Sequence, residues 1–250
     1  MITAQQKSEE VLFCYGDLFP EKVTGYDYLI VEPAYFTAMD VRAFKENNKK
    51  VLAYISLGEV DKGSWYYPKL VDHTIGENKI WDSNILDLEN PKTTEVLFEL
   101  IEMYMTERGY DGLFLDNIDN FSIYGPTPHQ KPALTAFLKR VKTAFPDIFM
   151  MQNAGVEIIA DTREYVDVLG VESVATDFDF TRRKYRLRDE KTYTNRVNEL
   201  SGIEAEHDVQ IILIEYADTK MLHSQIVDRI KDLGWSYFIG RIELQKIPHY

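Results

Sequence analysis

The feature that most limits how this chain can fold is a repeated unit, in which a short apolar run is followed by a helical pattern. Such units are typical of a parallel sheet with crossover helices. The apolar runs are VLFCYG (11–16), YDYLIVE (26–32), VLAYISLG (51–58), YDGLFLD (110–116), IFMMQNA (148–154), VDVLGVE (166–172), VQIILIEY (209–216) and SYFIGR (236–241). Eight strands close a (β/α)8 TIM barrel, and 250 residues match its usual size. We therefore predict a single (β/α)8 barrel, with a doubly wound sheet as the alternative.

Three of the intervening helices can be recognised from their ends and apolar spacing. Asn90 followed by Pro91 predicts a helix N-terminus, and Gly109 predicts the end of that segment. Apolar positions at helical spacing also run over residues 134–145 and 222–233. These patterns predict crossover helices in the places that a barrel requires.

The region 173–208 is long, charged and poorly periodic. Its basic run RRKYRLR (182–188) predicts a solvated loop or a helix start that balances an acidic surface; contact with an anionic ligand is the less favoured interpretation.

Composition excludes several classes of partner. The chain carries 28 Lys and Arg against 41 Asp and Glu, a formal net charge of -13, which repels nucleic acid and anionic membranes. Cys14 is the single cysteine, so an intrachain disulfide and a cysteine-cluster zinc site are excluded. No window reaches the apolar length of a transmembrane segment. We expect neither a nucleic-acid partner nor a membrane span.

Polar and aromatic side chains follow the predicted strands where those strands end. In a parallel barrel, the carboxyl ends of the strands and the loops after them form the mouth where active sites lie. The candidate site residues at these ends are Tyr15, Asp17, Glu32, Tyr54, Glu59, Asp116, Asn117, Asp119, Asn153, Glu172, Glu215 and Tyr216. Burying carboxylates is costly unless they are paired or chemically useful, so their positions favour function.

Strand alternation selects two of these carboxylates. If Leu113 and Leu115 face the outer helices, Asp116 faces the barrel axis. The same count places Glu172 inward at the end of another strand. Two carboxyl groups at one centre suit glycoside hydrolysis, in which one protonates the leaving oxygen while the other attacks the anomeric carbon or activates water. Asp116 and Glu172 are therefore the predicted catalytic pair.

The other candidates also have structural interpretations. Asn117 and Asp119 fit substrate contact or support of Asp116, and either also fits a helix cap. The tyrosines fit core packing or the walls of a pocket. Asp116 and Asp119 could share a cation, but the five histidines show no paired ligand spacing. We expect no metal and no organic cofactor.

Five segments form an ordered set along the chain. They are YISLGEVD (54–61), WDSNILDLENP (81–91), YDGLFLDNIDNF (110–121), QNAG (152–155) and GVES (171–174). This set resembles the glycoside hydrolase family 114 and 166 group, which includes endo-α-1,4-galactosaminidases and PelA-type hydrolase domains of bacterial biofilm systems. The resemblance spans nearly the whole chain. It implies a (β/α)8 barrel that cleaves within α-1,4-linked galactosamine or N-acetylgalactosamine polymers.

Matched residue by residue, the family's strand-four aspartate corresponds to Asp116 and its strand-six glutamate to Glu172. The resemblance implies a retaining mechanism with one carboxylate as nucleophile and the other as acid/base. Which residue has which role depends on pKa values that a sequence does not give. Our working expectation is Glu172 as nucleophile and Asp116 as acid/base. A cationic, partly deacetylated polymer would suit the acidic cleft that the candidate carboxylates imply.

The resemblance favours an extracellular or cell-envelope setting, although residues 1–10 show no apolar signal core. PelA-type proteins join this barrel to a deacetylase domain, and 250 residues leave no room for one. We expect one hydrolase domain over residues 1–250, with a flexible N-terminal segment at 1–9, and a monomer.

Three other functions fit the same residues. They are a non-catalytic carbohydrate-binding barrel, a glycosidase for a different glycan, and a metal-dependent hydrolase built on Asp116 and Asp119. The presence of two carboxylates at one centre counts against a pure binding protein, because binding alone does not need both.

Overall fold

The computed structural model describes residues 9–250, which contain thirteen strands and seven α-helices. The strands are β1 (Val11–Cys14), β2 (Tyr28–Val31), β3 (Lys50–Ser56), β4 (Glu59–Asp61), β5 (Thr74–Asn78), β6 (Ser83–Leu86), β7 (Gly112–Asp116), β8 (Phe149–Asn153), β9 (Val168–Glu172), β10 (Thr176–Asp179), β11 (Lys184–Leu187), β12 (Gln210–Tyr216) and β13 (Ser236–Gly240). The α-helices are α1 (Ala38–Asn47), α2 (Tyr67–Leu70), α3 (Pro91–Glu102), α4 (Lys131–Ala144), α5 (Ile159–Thr162), α6 (Glu190–His207) and α7 (Lys220–Ile230).

Eight of these strands form one parallel sheet in the order β1-β2-β3-β7-β8-β9-β12-β13. A parallel bridge between Glu10 and Tyr237 joins the first edge of the sheet to the last. All eight apolar runs of the sequence supply one barrel strand each. The predicted (β/α)8 barrel is therefore confirmed, and the doubly wound alternative is excluded.

Aromatic rings fill the inside of the barrel. The ring of Phe13 on β1 lies 5.1 Å from Phe114 on β7 and 5.4 Å from Phe238 on β13. Because β1 and β7 are not neighbours, the contact of Phe13 with Phe114 shows that these side chains face the axis. Because side chains alternate along a strand, Asp116 faces the same way as Phe114, toward the mouth.

The predicted helix ends are also present. The Asn90 side chain accepts a hydrogen bond from the backbone N–H of Lys92, and Pro91 opens α3. A π-helical segment, Met103–Arg108, continues this helix and ends at Gly109, which has a left-handed φ of 78°. Glycine tolerates that conformation without steric cost, so the chain can turn there into β7.

Two small sheets interrupt the βα pattern at the mouth. The strands β4, β6 and β5 form an antiparallel sheet after β3, which we name the β4–β6 sheet (residues 59–86). The strands β10 and β11 pair after β9 as the β10–β11 hairpin (residues 176–187). Both insertions leave the barrel at carboxyl ends of strands, so both lie on the face where the candidate residues gather.

The hairpin corrects the prediction for RRKYRLR (182–188). The central part of this run, Lys184–Leu187, is a strand paired with Thr176–Asp179, and Arg182 and Arg183 lie in the exposed turn of the hairpin. Arg186 contacts Asp177 across the pair at 2.6 Å. Charged and apolar residues do alternate over Lys184–Leu187, as in a strand, but only four residues show this period within a run that is mostly basic, and the charge dominated the sequence interpretation.

The predicted flexible segment 1–9 lies outside the described residues except for Glu9. None of the helices over residues 9–250 is long and apolar enough to cross a membrane.

We predict that Phe114→Ala lowers the free energy of unfolding by about 3–5 kcal/mol, because it leaves a cavity where three rings meet. Urea unfolding followed by circular dichroism measures this change. Phe19→Ala is the control, because Phe19 is 66% exposed, and its effect should stay within about 0.5 kcal/mol. Equal losses in the two variants would contradict the packing described above.

Candidate active site

Three neighbouring strands each deliver one polar side chain to the same point of the mouth. Asp116 ends β7, Asn153 ends β8 and Glu172 ends β9. The Asn153 amide donates from Nδ2 to Asp116 Oδ1 at 2.8 Å and to Glu172 Oε1 at 2.7 Å. Carboxylates accept and do not donate, so the amide nitrogen must face them. The structure thus brings Asp116 and Glu172 together, as strand alternation predicts.

The separation of the two carboxylates follows from this shared partner. Because both oxygens bond to one nitrogen, they cannot be further apart than the two bonds laid end to end, 2.8 Å and 2.7 Å. This limit applies to the two nearest oxygens, and it is of the same order as the roughly 5–5.5 Å between the carboxyl groups of retaining glycosidases.

Each carboxylate also accepts a hydrogen bond from a tyrosine. Tyr54 on β3 donates to Asp116 Oδ2 at 2.7 Å, and Tyr216 at the end of β12 donates to Glu172 Oε2 at 2.6 Å. All four carboxylate oxygens therefore have a donor. These bonds offset part of the repulsion between two negative charges and fix the rotamers of both side chains.

The backbone turns sharply after each of the three strand-end side chains. Asn117, Ala154 and Ser173 have left-handed φ values of 57°, 57° and 56°. Non-glycine residues rarely adopt this conformation, and it costs on the order of 1 kcal/mol each. The Ser56 hydroxyl donates to Asn117 Oδ1 at 2.6 Å and so holds one of the turns. The strands therefore end abruptly at the residues that face the mouth.

Burial and charge give the site its acid–base character. Burial raises the pKa of Glu172, and the negative charge of Asp116 raises it further, against the lowering effect of the bonds from Tyr216 and Asn153. Burial and the neighbouring carboxylates also hold the pKa values of Tyr54 and Tyr216 well above the usual value. Both phenols therefore stay protonated and keep donating, while Glu172 holds a proton more readily than an exposed glutamate.

Glu215, a predicted substrate contact, is instead a buried support of the rim. It is 0% exposed. Its Oε1 accepts from the backbone N–H groups of Val174 and Ala175 at 2.9 Å and 2.7 Å, and its Oε2 accepts from that of Thr176 at 2.9 Å. The chain after β9 folds over this carboxylate, and its backbone N–H groups bond to both carboxylate oxygens. This placement contradicts a direct substrate contact.

Glu59 has the same kind of position at the base of the β4–β6 sheet. It is 6% exposed and accepts hydrogen bonds from Asn78 Nδ2 at 3.1 Å and from the Ser83 hydroxyl. Asn120 Nδ2 donates to it at 3.3 Å. Both oxygens of Glu59 are occupied by hydrogen bonds from these side chains, so the prediction of a substrate contact is contradicted here too.

The remaining predicted residues lie around the mouth. The ring of Tyr15 lies 4.8 Å from that of Tyr54, and burial together with Asp116 raises the pKa of Tyr15. Glu32 is half-buried and accepts from the backbone N–H of Ala34 at 3.0 Å.

Asp17 and Asp119 are exposed in the loops after β1 and β7. Sequence analysis misses Ser56, although alternation from Tyr54 places it on the same inward face. Over residues 9–250, no group of three or more histidine, cysteine or carboxylate side chains is placed to hold a metal ion.

Comparison with known proteins agrees with this geometry. The family model described as glycoside-hydrolase family GH114 matches residues 22–250. No curated protein matches the chain.

Solved structures share the fold over nearly the whole chain. The glycoside hydrolase domain of PelA from Pseudomonas aeruginosa has a TM-score of 0.84 and 23% identity, with 96% of this chain and 97% of that chain covered. Ega3 from Aspergillus fumigatus, in complex with galactosamine, has a TM-score of 0.77 and 12% identity, with coverage of 100% and 98%. The α-galactosidase TtGalA from Thermus thermophilus is more distant, with a TM-score of 0.58, 11% identity, and coverage of 92% and 57%.

The environment of Glu32 predicts a pH-dependent stability. Burial raises the pKa of Glu32 from 4.5 to about 7, and Asp61 adds to this effect. The folded protein therefore keeps this proton up to about pH 7, whereas the unfolded chain loses it near pH 4.5. Because the folded state binds more protons between these values, the stability contributed by this group falls as pH rises through that window.

We predict that Glu32→Gln, which cannot ionise, becomes more stable relative to wild type as pH rises from about 5 to about 8, by up to roughly 3 kcal/mol. Urea unfolding at the two pH values measures the difference. Glu199→Gln, at an exposed position of α6, is the control and should show no such trend. A Glu32→Gln difference that stays constant with pH would contradict the proposed burial of this carboxyl.

Proposed function

The chain belongs to glycoside-hydrolase family GH114, and we propose that it cleaves α-1,4-linked galactosamine or N-acetylgalactosamine polysaccharides at internal bonds with retention of anomeric configuration. The observation that carries this proposal is the amide of Asn153, which bonds to Asp116 and Glu172 at once. The resulting short separation supports a mechanism in which one carboxylate attacks the sugar directly.

We propose Glu172 as the acid/base and Asp116 as the nucleophile. This reverses the working expectation from sequence, because burial and the charge of Asp116 raise the pKa of Glu172. A carboxyl group with a raised pKa is protonated at the start of the reaction and can donate to a leaving oxygen. Asp116 accepts hydrogen bonds from Tyr54 and Asn153, which fix its carboxyl group at the site where it would attack.

The reaction then has two steps. In the first, Asp116 Oδ attacks the anomeric carbon while Glu172 gives its proton to the glycosidic oxygen, so that the C–O bond breaks and the leaving chain departs as an alcohol. In the second, ionised Glu172 takes a proton from water, and the resulting oxygen attacks the anomeric carbon and releases Asp116. Proton, water and leaving group balance, and both carboxyls return to their initial states.

Two observations support a galactosamine polymer as the substrate. The fold matches that of Ega3, which was solved with galactosamine, and that of the hydrolase domain of PelA. The formal net charge of -13 favours a cationic, partly deacetylated chain over an anionic one.

We predict that Asp116→Asn and Glu172→Gln each lower kcat on α-1,4-galactosamine polymers by between about 100-fold and 10,000-fold, while the fold and polymer binding persist. Release of oligosaccharides, measured by mass spectrometry on acetylated and deacetylated polymers, checks this. Asp147→Asn, at an exposed position just before β8 and so at the opposite end of the barrel, is the matched control and should keep most of the activity.

The outcomes separate the alternatives. Full activity in either variant would contradict the catalytic assignment. Binding by the wild type without release from any polymer would favour a non-catalytic barrel, and release only from another glycan would correct the substrate. Activity that a chelator removes and a divalent ion restores would instead favour the metal-dependent alternative.

A further inference from the structure

Exposed apolar surface is concentrated on one face of the barrel. Among residues 9–250, every large hydrophobic side chain that is exposed lies between the carboxyl end of a barrel strand and the first turn of the next crossover helix. These residues are Phe19, Tyr35, Met39, Trp65, Ile75, Ile80, Trp81, Ile123, Tyr124, Phe180 and Met221. The opposite face has none of them. Apolar side chains gathered around a catalytic mouth indicate a surface that binds an extended ligand.

Two of these side chains touch each other across the rim. Trp81, in the β4–β6 sheet, and Phe180, at the tip of the β10–β11 hairpin, have ring centroids 5.4 Å apart and planes at 87°. Phe178 and Tyr185 continue the row, with Phe178 5.0 Å from Phe180 and 4.7 Å from Tyr185. We name the contact of Trp81 with Phe180 the aromatic bridge.

The position of the aromatic bridge follows from the strand order. The β4–β6 sheet leaves the barrel after β3 and the hairpin leaves it after β9. In the barrel, β7 and β8 lie between those two strands, and they end in Asp116 and Asn153. The bridge therefore spans the part of the rim above the site.

Two buried carboxylates hold the supports of the bridge. Glu59 accepts from Asn78 and Ser83 at the turn that carries Trp81. Glu215 accepts from Ala175 and Thr176 at the start of the hairpin. The two segments that carry the aromatic bridge are thus fixed by buried hydrogen bonds, whereas the two rings themselves are partly exposed.

We propose that the aromatic bridge is a binding subsite for sugar rings of the polymer beyond the bond that is cleaved. Trp81 is 49% exposed and Phe180 is 45% exposed, so each ring leaves apolar surface open to solvent. Flat aromatic faces pack against the C–H faces of sugars and attract the ammonium group of a deacetylated amino sugar. This inference rests on the proposed function and adds a preference for long chains over short ones.

The test measures binding apart from cleavage. Trp81→Ala, Trp81→Phe and Ile80→Ala are each combined with Glu172→Gln, and affinity is measured for deacetylated α-1,4-galactosamine polymer and for its disaccharide. Ile80 is the matched control, because it is 64% exposed in the same turn but has no flat ring. Thermal unfolding of each variant checks the fold. In the active background, kcat/KM on both substrates is measured in parallel.

We expect Trp81→Ala to weaken polymer binding by between about twofold and thirtyfold, with little change for the disaccharide, since a cation–π contact is worth that range. Trp81→Phe should recover part of the loss, and Ile80→Ala should resemble the parent. The kcat/KM values should follow the same pattern.

Equal effects on polymer and disaccharide, or no effect on either, would overturn the subsite. The first result would mean that the bridge only holds the catalytic loops in place.

If the Glu172→Gln parent binds polymer through Trp81 while wild type releases no product, the proposed function fails and the subsite stands. If wild type cleaves polymer and Trp81→Ala cleaves it equally well, the subsite fails and the proposed function stands. If the protein neither binds nor cleaves the polymer, both the subsite and the proposed function fail.

Discussion

The hydrogen bonds from the Asn153 amide to Asp116 and Glu172 hold two carboxylates at one point of the barrel mouth. Two negative charges about 5 Å apart repel by roughly 3 kcal/mol at an effective dielectric constant near 20. Donors from Asn153, Tyr54 and Tyr216 offset part of that repulsion, and the rest is relieved when one carboxyl keeps its proton. Burial and this repulsion together raise the pKa of Glu172, the proposed acid.

The barrel makes this arrangement rigid. The three side chains come from adjacent strands, so their spacing is set by the distance between parallel strands rather than by flexible loops. A residue with left-handed backbone conformation follows each of the three strands and terminates it at the site. The packing of Phe13, Phe114 and Phe238 inside the barrel offsets the conformational strain of these residues. Farther out, Glu59 and Glu215 fix the two insertions that form the rim.

Much of the fold and the central pair can be predicted from the sequence. Buried parallel strands read as continuous apolar runs, and a period of two residues is enough to turn Asp116 and Glu172 inward. What sequence analysis missed depends on contacts between distant segments. Glu215 looks like a polar strand end until the chain at 174–176 folds over it, and the contact of Trp81 with Phe180 exists only because two insertions meet in space. The roles of the two carboxylates likewise depend on burial, which sequence does not give.

The most direct test of the proposed paired-carboxylate mechanism is the anomeric configuration of the first product. Hydrolysis of an α-1,4-linked galactosamine oligosaccharide is followed by proton NMR from the first minutes, before the sugar equilibrates in water. The close spacing imposed by Asn153 predicts that the α-anomer appears first and the β-anomer only later, by mutarotation. Initial release of the β-anomer would show inversion, and it would contradict direct attack by a carboxylate of this pair.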